Sequence, residues 1–227
     1  MRLLATALLL LACFHSDAYS TLEYRGCPAR MTNSLECSAY LDAQLLKKFP
    51  ELFSRTERSL TIRLANQNTV IFSDREAELN AAGAVLKPAT RITIDQYFPE
   101  VGYAVVLRQG SEFGEGYLFN MKTGQQTLIA EHEVVLSPDK KRFASAKSDY
   151  IIYDTGLLLI HAIAGDSLIE EFRLDTRHEG PMDLRWLNNE QLTFSMDSIK
   201  PDVGQIQTPK LLRYQDQSAG KWVIADR

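Results

Sequence analysis

The sequence predicts a mainly β protein: a small or incomplete β-propeller-like array of about four antiparallel blades, with a short N-terminal helix. The prediction depends on residues 133–172, which contain four short strands arranged in two hairpins. The landmarks of this stretch recur in two further approximate copies, at separations of 39 to 55 residues, and propeller blades commonly repeat every ~40–50 residues. An ordinary antiparallel sandwich is the alternative, although its turns usually recur every ~8–12 residues.

Two turns define the hairpins of this stretch. Residues 137–140 (Ser-Pro-Asp-Lys) suit a type I turn, because proline pre-sets φ and the serine and aspartate side chains bond local amides. Residues 164–166 suit a tight turn in which Gly165 takes a positive φ. β-branched and aromatic residues are frequent in Tyr150–Asp154 and Gly156–Ile163. The other segments beside the turns are Val134–Leu136, Arg142–Lys147 and Leu168–Phe172. No helix is expected between Gly156 and Phe172.

The copies repeat these landmarks in the same order. Pro99 and Asn188 stand where Pro138 stands, and Gly124 and Gly220 stand where Gly165 stands. The three sets of turns therefore predict three blades in succession.

These motifs resemble a known family of repeats. SPDKKRF at 137–143 is similar to the turn of the TolB-like β-propeller repeats, and YLFNMKTGQQTLIA at 117–130 is similar to their later hairpin. The resemblance covers residues 91–226 and implies a propeller fold. It implies no activity, because propellers host many functions. The chain departs from the family pattern at Lys140, where glycine is usual, and at residues 188–189, where Asn-Asn replaces Pro-Asp.

The first 20 residues have the pattern of a signal peptide. Arg2 supplies a positive start, Leu3–Phe14 is an apolar run too short to span a bilayer, and small residues predict cleavage after Ser20. The alternative is a lipoprotein anchored at Cys13, because residues 10–13 loosely resemble a lipobox. We therefore expect a periplasmic protein with no transmembrane segment in its mature chain. The remaining chain divides into a disulfide-pinned helical segment over 21–58 and a propeller-like domain over 59–227.

Cys27 and Cys37 are the two cysteines that remain after the signal. An even pair in an oxidising compartment usually forms a disulfide, and the short loop predicts about 2–3 kcal/mol of stabilisation. Two unpaired buried thiols are the alternative, and a zinc site lacks further ligands nearby. A helix is expected over Ser38–Arg55, where leucines and phenylalanines share one face and Pro50 interrupts the pattern.

A hairpin and a polar connection follow the helix. Ser59–Ala65 and Thr69–Ser73 read as two strands that could form an incomplete fourth blade, because apolar and polar residues alternate in the first. Asp74–Pro88 is a connection in which a short helix is expected at Glu76–Ala82.

The candidate catalytic residues form no recognisable motif. The net charge of −4 is spread over mixed charges without a basic stripe, so nucleic-acid binding is unsupported. His132, His161 and His178 are isolated among ordinary polar or strand residues, and the sequence supports neither a metal site nor a cofactor site. His161 in particular is expected to be a packed or edge histidine.

A glycine-rich loop supplies the candidate partner-binding residues. Phe113 lies between Glu112 and Glu115 over residues 109–116, and aromatic side chains in loops are frequent at binding hot spots. The alternative is that Phe113 folds back over a blade edge.

We therefore expect a periplasmic, non-catalytic protein-binding module with a protein partner in the cell envelope. A specific version is an immunity or inhibitor protein that blocks an envelope-targeted toxin or hydrolase. The alternatives are a hydrolase or lyase whose site is assembled across blades, and a small-ligand sensor that uses the central channel.

Overall fold

The structure, a computed structural model, describes residues 26–28, 31, 34–79, 81, 85–87, 89–110, 114–130, 133–149, 155–200, 204–215 and 221–225. It is mainly β, as expected, with four antiparallel sheets of three or four strands, one two-stranded pair and one N-terminal helix. Over the described residues these sheets do not form a closed propeller ring.

The N-terminal helix α1 runs over Ser34–Lys48, and its first turn is tied to the preceding segment by the Cys27–Cys37 disulfide. The expected disulfide is therefore confirmed, with a Cα–Cα distance of 5.6 Å. The helix ends two residues before Pro50, so the expectation of helix as far as Arg55 is wrong. Phe53–Arg55 instead forms strand β1, because Phe53 pairs with Ile62 of the next strand.

Sheet 1 is a three-stranded antiparallel sheet that contains β1 (Phe53–Arg55), β2 (Ser59–Arg63) and β3 (Thr69–Ser73). It confirms the expected hairpin, and β1 pairs with β2 across the predicted domain boundary at 58–59. A two-stranded pair follows, formed by β4 (Glu78–Leu79) and β5 (Val85–Lys87). The short helix expected at Glu76–Ala82 is therefore wrong.

Sheets 2, 3 and 4 are four-stranded meanders in which each strand pairs with the next one along the chain. Sheet 2 contains β6 (Thr90–Phe98), β7 (Tyr103–Gly110), β8 (Gly114–Asn120) and β9 (Gln126–Ile129). Sheet 3 contains β10 (Glu133–Leu136), β11 (Arg142–Asp149), β12 (Thr155–Ala164) and β13 (Ser167–Thr176). Sheet 4 contains β14 (Glu179–Asn188), β15 (Gln191–Lys200), β16 (Gly204–Gln215) and β17 (Lys221–Ala225).

The turns of sheet 3 confirm the expected turn chemistry. Ser137 Oγ donates to Asp139 Oδ1 over 2.7 Å, and the Lys140 N–H donates to the Ser137 carbonyl over 2.9 Å. Lys140 has φ +60°, the left-handed conformation that explains why glycine is usual in such turns. Gly165 has the expected positive φ, and the described residues between Gly156 and Phe172 contain no helix. Tyr150–Asp154 and Gly220 lie outside the described residues.

Three apolar cores lie between the sheets, each shared by two that are consecutive in the chain. The first joins sheets 1 and 2 and is covered by α1, with Leu60, Ile62, Ile94 and Phe119 among its members. The second joins sheets 2 and 3 around Tyr103, Leu118 and Phe143. The third joins sheets 3 and 4 around Leu158, Ile160, Leu192 and Trp222. Sheets 1 to 4 therefore stack face to face in chain order.

Candidate interaction site

The first strand of each four-stranded sheet lies at a sheet edge, because β6, β10 and β14 each pair with only one strand of their own sheet. An edge strand presents backbone N–H and C=O groups that attract further strands unless something covers them. Side chains from neighbouring elements form hydrogen bonds with several of these edge groups. A binding site is therefore expected beside the parts of the edges that these side chains do not cover.

The edge of β6 is covered by a buried ionic network. Asp42 of α1 accepts from the Ile94 N–H over 3.0 Å and pairs with Arg55 Nε over 2.7 Å. Asp74 accepts from the Ile92 N–H over 2.8 Å, and the Arg55 guanidinium donates to the Ile92 carbonyl. Only 2% of the Asp42 side chain is exposed, so this network fixes α1 against sheets 1 and 2 in a nearly dry environment.

The edges of β10 and β14 cover each other. Glu133 of β10 accepts from the Leu184 N–H over 2.9 Å and also from the Asp183 N–H, both within a β-bulge of β14. The Trp186 indole N–H of β14 donates to the Val135 carbonyl over 3.3 Å. Burial raises the pKa of Glu133 to about 7, and these backbone bonds oppose only part of the shift.

A groove lies where α1 faces the last part of β6 and residues Val134–Leu136 of β10. It has a volume of about 1050 Å³ and is open to solvent. Most of its wall is apolar, from Leu41 and Leu45 of α1, Tyr97 and Phe98 of β6, Val134, Val135 and Leu136 of β10, and Pro138. Its exposed cations are Lys47, Lys48 and Lys140. The remaining lining residues are polar or acidic: Gln44, Asp95, Gln96, Glu100 and Ser137.

A β-bulge at Asp95 directs Gln96 into this groove. The pairing of β6 with β7 shifts by one residue between Ile94 and Gln96, which leaves Asp95 as the extra residue. The Gln96 Oε1 atom is buried and has no hydrogen-bond partner in the described structure. Beside it, burial raises the pKa of Tyr97, with a further contribution from the charges of Glu51 and Glu100. The groove therefore has apolar walls and, in Gln96, a lining residue whose side-chain oxygen is buried and unsatisfied.

The partner-binding loop expected from the sequence is described only in part. Glu112 and Phe113 lie outside the described residues. Glu115 lies on β8, where its carboxylate accepts from the Tyr117 hydroxyl over 2.8 Å and contacts Arg108 Nη1 at 3.5 Å. Glu115 is therefore bonded to side chains of its own sheet.

The histidines are not gathered into a recognisable catalytic site among the described residues. His161 is buried on β12, opposite Phe143 on β11 and Glu170 on β13, as expected for a packed histidine. Burial lowers its pKa. His178 is exposed in the connection from β13 to β14, and His132 lies outside the described residues. Within the described ranges no group of three or more His, Cys, Asp or Glu side chains could hold a metal ion.

Comparisons with known proteins add no family to this picture. No protein-family model matches the chain, and no curated protein matches its sequence. The similarity of its repeats to those of the TolB-like propellers therefore stays a prediction. In the part of the chain that the structure describes, no helix has both the length and the apolar character needed to cross a membrane.

Sequence reasoning missed the groove, although one signal indicated how α1, which forms one of its walls, is held against the sheets. Asp42 follows Leu41 directly and precedes Leu45 on the helix that we expected to pack into the core. A carboxylate at such a position needs a buried partner. That requirement predicts a contact between α1 and a cationic group, but the sequence does not say which one.

Proposed function

We propose that this chain is an exported, non-catalytic protein-binding module built on an open, propeller-like array of four blades. Each sheet corresponds to one blade, and sheet 1 is the incomplete one. The face-to-face stacking of the four sheets in chain order supports this architecture. The Cys27–Cys37 disulfide supports export, because such bonds persist mainly in oxidising compartments.

The groove between α1, β6 and β10 is the observation that carries the binding function. It combines an apolar wall with exposed cations and with Gln96, whose side-chain oxygen is buried and has no hydrogen-bond partner. Binding sites commonly combine an apolar lining with a few polar groups that fix orientation. Its partner is a protein of the cell envelope, and an envelope-targeted toxin or hydrolase is the specific version of this proposal.

The Glu133 carboxylate, whose pKa is raised by burial, has a structural explanation. A raised carboxyl pKa is a frequent property of catalytic acids. Glu133, however, has its Oε1 bound to the Leu184 N–H, where it joins sheets 3 and 4. This favours the binding module over a hydrolase or lyase.

Photo-crosslinking in living cells tests the proposal. p-Benzoylphenylalanine is placed at Lys140 in the groove, at Phe113 in the predicted loop and at Arg213 on β16. Lys140 and Arg213 are both exposed, so they form a matched pair. We expect one discrete crosslinked envelope protein from position 140 and none from position 213. Crosslinking from position 113 alone would move the site to the loop, and equal crosslinking from all three positions would contradict a defined site.

A further inference from the structure

We infer that the groove binds an extended peptide segment of the partner, in which apolar side chains are flanked by carboxylates. This inference rests on the proposed function, since it names the part of the partner that enters the groove. Three features of the groove support it: its unsatisfied acceptor, its apolar walls and its cations.

The unsatisfied acceptor of Gln96 favours a bound molecule that carries N–H donors. Gln96 Oε1 is buried and has no hydrogen-bond partner, which is unfavourable for a polar atom, so a turn of the half-buried Gln96 side chain that presents this oxygen to a bound N–H group would form a hydrogen bond. Earlier along β6, the Ile92 and Ile94 backbone groups are already bonded by Asp74, Arg55 and Asp42. An extended peptide offers an N–H at regular intervals, which makes it a suitable source of this donor.

The walls and the shape favour a chain segment with apolar side chains. Leu41 and Leu45 face the groove from one side, and Val134 and Leu136 line it from β10. The volume of about 1050 Å³ lies at the upper end of the range for small-ligand sites, and the groove is open to solvent. Several residues of an extended segment can therefore enter from solvent without threading through a closed channel.

The cations favour carboxylates in that segment. Lys47, Lys48 and Lys140 are exposed at the groove, whereas Glu100 is its one exposed carboxylate, and the whole chain carries a net charge of −4. The local charge is therefore opposite in sign to the average of the molecule. Lys47 and Lys48 also complement the dipole at the end of α1, so Lys140 is the more informative lysine.

Fluorescence anisotropy with defined peptides measures this binding on the full chain. The probe is a fluorescein-labelled octapeptide with two central leucines and acidic residues on both sides. The comparison peptide carries lysines in place of the acidic residues. We expect the acidic peptide to bind more tightly, and its affinity to fall as salt rises because exposed charges are screened.

Two substitutions in β6 distinguish the effect on binding of losing the Gln96 acceptor from general effects on the fold. Gln96→Met should weaken binding of the acidic peptide about three- to tenfold, because one hydrogen bond is lost. Its unfolding midpoint in urea should stay equal or rise, because the unsatisfied buried acceptor is removed. Thr93→Val is the matched control: Thr93 Oγ1 is also buried without a partner, but Thr93 does not line the groove. It should leave peptide binding unchanged.

Charge reversal at two neighbouring lysines distinguishes the effect of charge at the groove on peptide binding from the effect of the net charge of the chain. Lys140→Glu should weaken the acidic peptide about two- to fivefold and reduce the salt dependence. Lys141→Glu changes the net charge equally at an exposed residue outside the groove, and should have less effect.

Three results would each overturn the inference. They are equal affinity for both peptides, no binding of the acidic peptide at about 100 µM, a concentration at which weak recognition is still detected, and unchanged binding by Gln96→Met. A crosslinked envelope protein at position 140 would then still support the proposed binding module. Failure of the inference and failure of the proposed function are thus distinguishable.

Discussion

At each of the two end junctions of the sheet stack a largely buried arginine forms an ion pair, but the surroundings of the two arginines differ. At the N-terminal junction, between sheets 1 and 2, Arg55 is bound by Asp42 and Asp74 and donates to a backbone carbonyl. At the C-terminal junction, between sheets 3 and 4, Arg142 pairs with Glu171 over 2.7 Å. Its guanidinium also lies 4.9 Å from the Tyr214 ring centroid and 5.7 Å from that of Trp222.

The difference shows two ways of stabilising an arginine between sheets. At the N-terminal junction each partner of Arg55 also bonds the edge of β6, so loss of one partner exposes several polar groups to an apolar interior. At the C-terminal junction the aromatic rings retain part of the interaction when the carboxylate is removed. We therefore expect the N-terminal junction to be the more sensitive to single substitutions.

The largest effect is expected for Asp42→Ala. This substitution removes the main partner of Arg55 and leaves the Ile94 N–H unsatisfied, so the free energy of unfolding should fall by about 3–5 kcal/mol. Urea denaturation followed by circular dichroism measures it. Asp166→Ala is the control, because it breaks only the exposed Lys122 pair and should cost less than about 1 kcal/mol. Similar losses for the two variants would contradict the buried network.

A smaller loss is expected for Glu171→Ala, about 2–3 kcal/mol by the same measurement. Glu171 accepts from Arg142 Nε over 2.7 Å and from the Trp222 indole N–H over 3.1 Å, and both donors lose a charged acceptor. Because Tyr214 and Trp222 still contact the guanidinium, the loss should be less than for Asp42→Ala. A larger loss than for Asp42→Ala would reverse the comparison between the junctions.

The third effect depends on pH and concerns the contact of Glu133 with β14. Its pKa is about 7 in the folded chain and 4.5 in the unfolded chain, so its contribution to stability is fully present below pH 4.5. That contribution is lost as pH rises through 7 and amounts to at most about 3 kcal/mol.

Glu133→Gln is the variant that tests this sign. Relative to wild type, it should be more stable at pH 8 than at pH 5, because its amide accepts from Leu184 without an ionisation cost. Because the pKa of His161 is lowered by burial, its contribution to stability changes with pH in the opposite direction. Both proteins contain His161, so this contribution cancels in the difference between their melting temperatures. A difference that does not change with pH would contradict the raised pKa.

The strand order was predictable because it depends on local chemistry. The turns at 137–140 and 164–166 are specified by their own residues, and the structure confirms the hairpins that they define. The end of α1 was not predictable in the same way. The apolar pattern places Phe53 on one face of the predicted helix, but the residue forms a strand because it pairs with Ile62, a partner that only the folded chain supplies.

The candidate groove was beyond sequence reasoning for a similar reason. Its lining comes from one helix and the edges of two sheets, which are distant in the chain. Gln96 is an ordinary polar residue in the sequence. Two features of the fold distinguish it, namely the bulge at the preceding residue, Asp95, and the burial of the Gln96 Oε1 atom. The disulfide, by contrast, followed from counting two cysteines, and the structure confirms it.

A nuclear magnetic resonance titration of the ¹⁵N-labelled chain with the acidic octapeptide tests the central claim most directly. If the groove is the binding surface, the backbone amides that shift should cluster at residues 44–48, 96–98 and 134–137, which come from three separate parts of the chain. Amides on the outer strands β9, β13 and β17 should stay unchanged. Shifts centred on residues 111–116, or on the outer strands, with the groove unaffected, would contradict the account.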